Sequence, residues 1–346
     1  VRSNTPFSTA SETLDTVHFD VPATCGNLGP GFDSLGMALR LYNTVHAEIP
    51  PEIPPEIPPE IPRRDHTDEV NDSAVRTDGP TVLQEGVGGT EVPAGGDNLV
   101  IRAMSLVFQA RGLRPPSLVA RVHGRIPVAR GLGSSAAAIA AGLCLARPMI
   151  SPPLSLEDAI NIGTRLEGHP DNIVPALVGG VTVSVATDQT VHWVRLCDGR
   201  GLLALILVPE IRLRTEEARS VLPRTVTLED AVFNLSRAAL LAGCLATKNH
   251  RSLGVALSDR LHQPYRMALV PGLEEAIRRA HDLGAHGAFL SGAGPSISLL
   301  FPSRPQSRVV AAARELARLS PGFTPHILPI SRAGAWPAEP AGTDDR

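Results

Sequence analysis

Apolar and polar positions alternate along some stretches of the chain and recur at three and four along others, so strands and helices are both encoded. Residues 16–21 and 39–47 alternate in the manner of half-buried strands. Residues 98–112 carry apolar side chains at helical spacing, 118–124 read as a strand, and 134–146 as a helix built of small residues. A serine followed by Glu157 and Asp158 opens a helical pattern over 155–166. Strands are predicted at 180–186 and 202–208, helices at 228–247 and 272–283, a strand broken by a glycine turn across 288–301, and a last helix at 307–319. The elements mix without the strict alternation of a doubly wound sheet, which favours the α+β class in two layers. The polar stretch 187–200 offers a boundary between an N-terminal domain, 16–187, and a C-terminal one, 188–330.

A chain of 346 residues, 43% apolar and 19% charged, can bury a core in each half. Aromatics reach only 3%, so aliphatic side chains and alanine must fill those cores. A formal charge of −3 gives no footprint for nucleic acid or an acidic membrane. The longest aliphatic run, 202–208, is far too short to span a bilayer, and no charged segment followed by an apolar one opens the chain as a secretory signal would. Cys25, Cys144, Cys197 and Cys244 form no CxxC pair, which argues for buried thiols in a reducing, cytoplasmic setting over a zinc site or disulfide framework. Residues 1–15 and 331–346 lack apolar periodicity and are expected to be a disordered leader and tail. The tandem EIPP repeat sits in a proline-rich insertion, 48–66, that favours extended, solvated backbone. It is either a docking arm or a neutral surface insertion, and the second reading is preferred.

The basic residues are arginines with one exception, Lys248. A P-loop needs a lysine directly after its last glycine and a protein kinase needs one on its third strand. Lys248 follows an alanine-rich helical stretch and serves neither.

Chemistry concentrates in IPVARGLGSSAAAIAAGL, which begins at Ile126. Gly131 and Gly133 free the backbone to expose N–H groups, and Ser134 and Ser135 then open a helix whose next residues are small. A helix N-terminus with unpaired N–H groups attracts anions. Arg130 adds positive charge, a serine hydroxyl suits a phosphate-bridging magnesium ion, and the alanines from Ala136 allow close approach. The alternative is a capped alanine helix packed on a sheet.

PVARGLGSSAAA resembles the phosphate loop of the GHMP kinases, a family of small-molecule kinases that manage without the P-loop lysine. VPATCGNLGPGFDSLGMAL (21–39) resembles the family's first motif as worded in its homoserine-phosphorylating branch, and HGAFLSGAGPSISLLF (286–301) resembles the third, a glycine turn packed under the phosphate loop. The resemblance runs from about residue 17 to 330 outside the insertion. It implies a two-domain fold, the N-terminal half like ribosomal protein S5 domain 2 and the C-terminal half a ferredoxin-like two-layer sandwich. It also implies ATP with Mg2+ as cofactors and L-homoserine as the acceptor, in threonine biosynthesis. A homodimer is implied as well, with no nucleic-acid or membrane partner.

Homoserine carries an ammonium, a carboxylate and a hydroxyl, so its pocket needs an acid, an arginine and a means of aiming the hydroxyl. Asn27 and Asp33 lie in the first motif, and LEGHPDNIVPALVGG supplies Glu167, His169, Asp171 and Asn172, with Arg219 and Arg266 further on. By the resemblance, Asn27, Asp33, Asp171 and Asn172 would hold the amino and hydroxyl ends; His169 is a further substrate-binding candidate, the alternative being that it braces the loop. Arg219 and Arg266 would grip the carboxylate. The nucleotide would meet Asn98 at its adenine and Pro127, Val128, Ala129, Arg130, Gly131, Leu132, Gly133, Ser134, Ser135, Ala136 and Ala137 at its phosphates. Ser135 and Glu167 would hold Mg2+, and Thr215 would sit by the transferred phosphoryl group. The first motif lacks the lysine or Gly-Glu-His wording of the galactokinase-like and mevalonate-kinase-like branches. Direct transfer without a strong protein base is therefore expected, the proton going to Asp171 or to a phosphate oxygen. Two rivals are a kinase for another small alcohol, such as mevalonate or a sugar, and a catalytically silent ligand sensor.

Overall fold

The computed structural model describes residues 15–49, 79–188, 190–319 and 322–337. Most of the leader, the EIPP repeat beyond Ile49, and residues 338–346 lie outside them. β1 (Asp15–Gly26) pairs antiparallel with β2 (Leu35–Ile49), with a shift of register at Pro22/Ala23. Glu48 and Ile49, expected in the insertion, instead complete β2, because β1 continues the ladder opposite them. β3 (Thr81–Gly86), β4 (Val119–Gly124), β5 (Val181–Ala186) and β6 (Val191–Cys197) finish a six-stranded sheet in the order β3-β4-β2-β5-β6, with β1 also on β2. Since β6 pairs with β5, the expected division at 187/188 falls inside this sheet; the change of sheet comes between Cys197 and Leu202.

Four helices pack on the first sheet: α1 (Leu99–Gln109), α2 (Ser134–Ala146), α3 (Leu156–Glu167) and α4 (Pro170–Val178). The central one, α2, has almost no polar face, because it is buried among α1, α3, α4 and β1. Its small residues let backbones approach: a Cβ at Gly142 would stand 2.1 Å from the Val100 carbonyl oxygen. Ser155 caps α3, its side chain accepting from the Asp158 amide, and Gly168 at φ +95° ends the helix. The chain can then turn at once into α4, with His169 at its N-cap and Pro170 in its first turn.

The second sheet is antiparallel, with β7 (Leu202–Pro209), β8 (Gly287–Leu290), β9 (Ile297–Pro302) and β10 (Phe323–Pro329) in the order β10-β7-β9-β8. Its helices are α5 (Thr215–Ser220), α6 (Leu228–Thr247), α7 (Leu253–Ala256), α8 (Gln263–Arg266), α9 (Leu273–Arg279) and α10 (Gln306–Leu319). β7 is buried on both faces. Leu203, Leu205 and Leu207 join the cluster that includes Leu273, Val309 and Leu316 of α9 and α10. Ala204, Ile206 and Val208 join the larger core shared with the first sheet. Burial from both sides explains its unbroken apolar run.

The expected disordered tail is ordered through residue 337. Ala335 N donates to Ala176 O at 2.8 Å and Trp336 N to Leu177 O at 3.0 Å, pairing carbonyls in the last turn of α4. Gly334 permits this, since a Cβ there would lie 2.1 Å from the Leu177 carbonyl oxygen. Among the described residues no helix is long and apolar enough to cross a membrane.

Candidate active site

The loop between β4 and α2 is set by its glycines. Gly131 has φ +73° and presses so closely on the β8–β9 turn that a Cβ would meet Ser291 O at 2.3 Å. Gly133, at φ +65°, is the N-cap of α2, and a Cβ there would stand 1.9 Å from Thr24 Oγ1. No side chain caps α2, so its first amide groups stay open toward a cavity of about 310 Å3. The turn at 291–296 clamps the loop: Ser291 Oγ donates to Gly131 O at 2.6 Å and Ser296 N to Arg130 O at 3.3 Å. It also holds the first motif, where Asn27 Nδ2 donates to Gly292 O at 2.8 Å.

Opposite the loop, Asp171 organises a polar cluster from the first turn of α4. Its Oδ1 accepts from Asn172 Nδ2 at 3.2 Å and lies 2.5 Å from His169 Nδ1, and its Oδ2 accepts from the Asn27 amide at 3.1 Å. Thr24 Oγ1 donates to Asn172 Oδ1 at 2.8 Å, which orients that amide. The first motif bends through left-handed conformations at Asn27, Leu28 and Asp33, with φ of 68°, 44° and 56°. Asn27 Oδ1 accepts from the Asp33 amide at 2.9 Å and closes the bend. Burial disfavours the charged His169 ring, but Asp171 bonded to it, with Glu167 and Asp33 beyond, raises its pKa on balance.

Asp33 meets Arg219 in a two-pronged pair, Oδ1 to Nη2 at 2.6 Å and Oδ2 to Nη1 at 3.0 Å. Arg266 is buried outright. Its Nε donates to Ala218 O at 2.9 Å and its Nη1 to His262 Nδ1 at 3.0 Å, while His262 Nε2 reaches Gly29 O at 2.7 Å. Burial, and then the charge of Arg219, bring the Arg266 guanidinium down to about 10. The Phe32 ring lies beneath both guanidinium groups, at 5.4 and 5.5 Å. Phe32 and His262 are not legible as site residues: the first is one aromatic in a glycine-rich turn, and the second is a single histidine that bridges Arg266 and Gly29.

Ser135 Oγ donates to Glu167 Oε1 at 2.6 Å, and burial raises the Glu167 pKa against the help of that hydrogen bond. The other end of the cavity is a slot lined by Val45, Val92, Leu99, Val122 and Ala141, none of which the sequence singles out.

Of the expected site residues, the cavity gathers Asn27, Asp33, Asn98, Val128, Ala129, Arg130, Gly131, Gly133, Ser134, Ser135, Ala137, Glu167, His169, Asp171, Asn172, Thr215, Arg219 and Arg266. Pro127, Leu132 and Ala136 do not line it. Leu132 and Ala136 turn into the core, and Pro127 faces a separate shallow depression beside Glu210. The Arg130 side chain lines the cavity and is also tied to the backbone. It donates to the carbonyl oxygens of Pro209, Val128 and Glu210 at 2.9, 3.0 and 2.6 Å, tying the loop to the end of β7. Asn98 is the N-cap of α1: its Oδ1 accepts from Val100 N at 2.9 Å and its Nδ2 donates to Pro93 O at 2.6 Å, leaving one amide N–H. All four cysteines are free thiols, but Cys197 is only half-buried, on the edge strand β6.

The family of the GHMP kinases N terminal domain matches residues 98–180, and that of the GHMP kinases C terminal matches 237–319. The homoserine kinase of Halothermothrix orenii is 40% identical over 277 residues, which cover 80% of this chain and 82% of that protein. That of Moorella thermoacetica is 38% identical over 298 residues, 86% of this chain and 92% of its own. The crystal structure of homoserine kinase from Cytophaga hutchinsonii superposes with a TM-score of 0.76 at 22% identity, covering 96% of this chain and 98% of that one, and shows the same two-domain fold. The chain belongs to the GHMP kinase family and, within it, to the homoserine kinases.

Proposed function

We propose that the protein transfers the γ-phosphoryl group of ATP to the side-chain hydroxyl of L-homoserine, forming O-phospho-L-homoserine in threonine biosynthesis. One observation carries this reading: a single cavity joins the open N-terminus of α2 to a wall that presents a carboxylate, two guanidinium groups and the Asp171 cluster. The open amides and the helix dipole suit a triphosphate tail, and the apolar slot beside Asn98 suits a base. The Asp33–Arg219 pair is a template for a zwitterion: an incoming α-ammonium replaces the arginine against Asp33, and an α-carboxylate replaces Asp33 against Arg219. Arg266, fixed by His262 and Ala218, supports the carboxylate side. Asp171 and Asn172 then receive the hydroxyl end, where Asp171 Oδ1 can orient its proton.

The residues suit a magnesium ion. Glu167 is a half-buried carboxylate whose side chain accepts from the Ser135 hydroxyl, and hard oxygen donors are what that ion takes. Bound between Ser135 and Glu167, it would neutralise phosphate charge that a lysine neutralises in other kinases. Catalysis then rests on positioning and charge neutralisation, as phosphoryl transfer generally does. ADP release measured with homoserine, serine, threonine, mevalonate and galactose tests the proposal. Saturable turnover with homoserine far above the others is expected. Preferential turnover of mevalonate or galactose would overturn it, and saturable ATP binding without turnover on any alcohol would point to a sensor.

A further inference from the structure

The short helix α8 is a junction between parts of the chain that lie far apart in sequence. Asp259, just ahead of it, has a fully buried side chain that collects four donors. Its Oδ1 accepts from Asn234 Nδ2 at 2.8 Å and Leu261 N at 2.9 Å. Its Oδ2 accepts from His262 N at 3.1 Å and Gln263 N at 2.7 Å, which caps the helix. Asn234, from α6, also donates to Pro30 O in the first motif at 3.3 Å. Gln263 Oε1 accepts from Leu290 N of β8 at 2.7 Å. α8 is thereby held against α6, β8 and the first motif at once. From that fixed base His262 and Arg266 reach back toward the cavity, which Arg266 lines and His262 does not.

The two bonds of the His262 ring fix its chemical state. Arg266 Nη1 can only donate, so His262 Nδ1, 3.0 Å away, has to be a bare acceptor. Gly29 O can only accept, so His262 Nε2, 2.7 Å away, has to carry the proton. A neutral ring protonated at Nε2 satisfies both partners. The other tautomer and the imidazolium each set an N–H against the guanidinium. Burial holds the ring below the ordinary imidazole value, with Arg266 adding to the effect against Asp259, the Gly29 carbonyl and Asp33. Arg266 is in turn anchored twice, by Nε on Ala218 O and by Nη1 on His262, which sets the plane of its guanidinium. Its Nη2 bonds no described residue, so that end is left for a ligand of the cavity. Resting on the reading that homoserine is the acceptor, we propose that His262 is a positioning residue. As a neutral ring in one tautomer it locks the Arg266 guanidinium in register with the first motif, and so sets the affinity for the substrate's carboxylate.

The state of the ring is read on the intact wild-type protein by NMR of its histidine nitrogens. His262 should show a protonated Nε2 and a bare Nδ1 at neutral pH, and a protonated Nδ1 would overturn the proposal. The effect on binding is read in a double-mutant cycle. His262→Leu, close in size but without either polar atom, should raise KM for homoserine about tenfold, the loss of about one charged hydrogen bond to the carboxylate. Its kcat and its KM for ATP should stay within a factor of about two of wild type, which a general loosening of the fold would not allow. In the Arg266→Met background the same change should raise KM for homoserine less than about twofold, because the group it orients is gone. Should His262→Leu lose its thermal transition, His262→Phe, which keeps a ring beside Phe32, takes its place in the cycle. An unmoved KM for homoserine, an equal rise in KM for ATP, or the same rise in both backgrounds would each overturn the proposal. Wild-type turnover of homoserine is measured first. Without it the functional reading falls and this inference with it; with it, those outcomes count against His262 alone.

Discussion

Replacing Arg219 with methionine separates binding from folding more cleanly than any other change in the cavity. The Arg219 and Asp33 side chains are 36% and 32% exposed, so their mutual pairing is water-screened despite its two short hydrogen bonds. Such pairs contribute about 0–1 kcal/mol to stability. The thermal midpoint should therefore move little. Substrate binding is another matter, because a carboxylate seated on Arg219 makes charged hydrogen bonds worth about 1.5–3 kcal/mol. Losing them should raise KM for homoserine roughly 10- to 150-fold, at about 1.4 kcal/mol per decade. KM for ATP should stay within a factor of about two, since no atom of Arg219 bonds the loop at 131–135. Arg219→Lys keeps the charge but loses the fork, so it should recover only part of the loss. Steady-state kinetics with each substrate varied in turn measures all of this. An unchanged KM for homoserine, or a rise confined to ATP, would refute the assignment of Arg219 to the carboxylate.

Arg266→Met should behave differently, because its guanidinium is buried and bonded to Ala218 O and His262. Stranding that carbonyl alone costs about 1–3 kcal/mol, which denaturant titration would register before any change in KM. Glu167→Gln should raise the magnesium concentration needed for half-maximal rate and lower kcat. It should also stabilise the apo protein at neutral pH, because burial raises the Glu167 pKa and its ionisation therefore opposes folding as pH rises. Gly133→Ala forces a left-handed alanine, at about 1–2 kcal/mol, against Thr24 Oγ1, and should lower the thermal midpoint and raise KM for ATP together. His169 has a raised pKa, so its contribution to stability is complete below the ordinary imidazole value and is lost as pH climbs through the folded one. Wild type should lose thermal midpoint across that window above pH 6.5, and His169→Asn should not.

Most elements legible in the sequence have one-sided burial or explicit caps, while α2 and β7, buried on both sides, are marked by unbroken runs of small or apolar residues. α1, α3 and α6 start at Asn98, Ser155 and Thr227, each with a side chain bonded to the first turn. The missed strands share a position instead. β3 and β6 are the two edges of the first sheet and β10 is an edge of the second. An edge strand buries too little to impose a strict period, as β6 shows with one buried residue in seven, and it tolerates prolines such as Pro325 and Pro329 in β10 that argue against a strand on paper. α4 is hidden for another reason: eight of its nine residues, including Asp171 and Asn172, are buried, so it has no polar face to mark its period, and Pro170 and Pro175 argue against a helix on paper. At the site, the residue types were legible because the motifs are contiguous. The pairings were not. Asp33 and Arg219 are 186 positions apart, and only the fold sets one guanidinium against that carboxylate.

The fate of Arg130 bears on how a chain with a single lysine manages a triphosphate. Read in one dimension, an arginine beside the glycines looks like the missing cation. In three dimensions its Nε, Nη1 and Nη2 all donate to backbone carbonyls at the junction of the loop and β7, and burial lowers its pKa. Its work is to hold the loop against the second sheet, which Ser291 and Ser296 do from the other side. Besides the tied Arg130 side chain, the loop offers the cavity its amide dipoles, equivalent to about half a positive charge at the head of α2. On the proposed function, further positive charge would come with the nucleotide as a divalent cation, and the hydrogen-bonded Ser135–Glu167 pair offers the hard oxygen donors that would receive it.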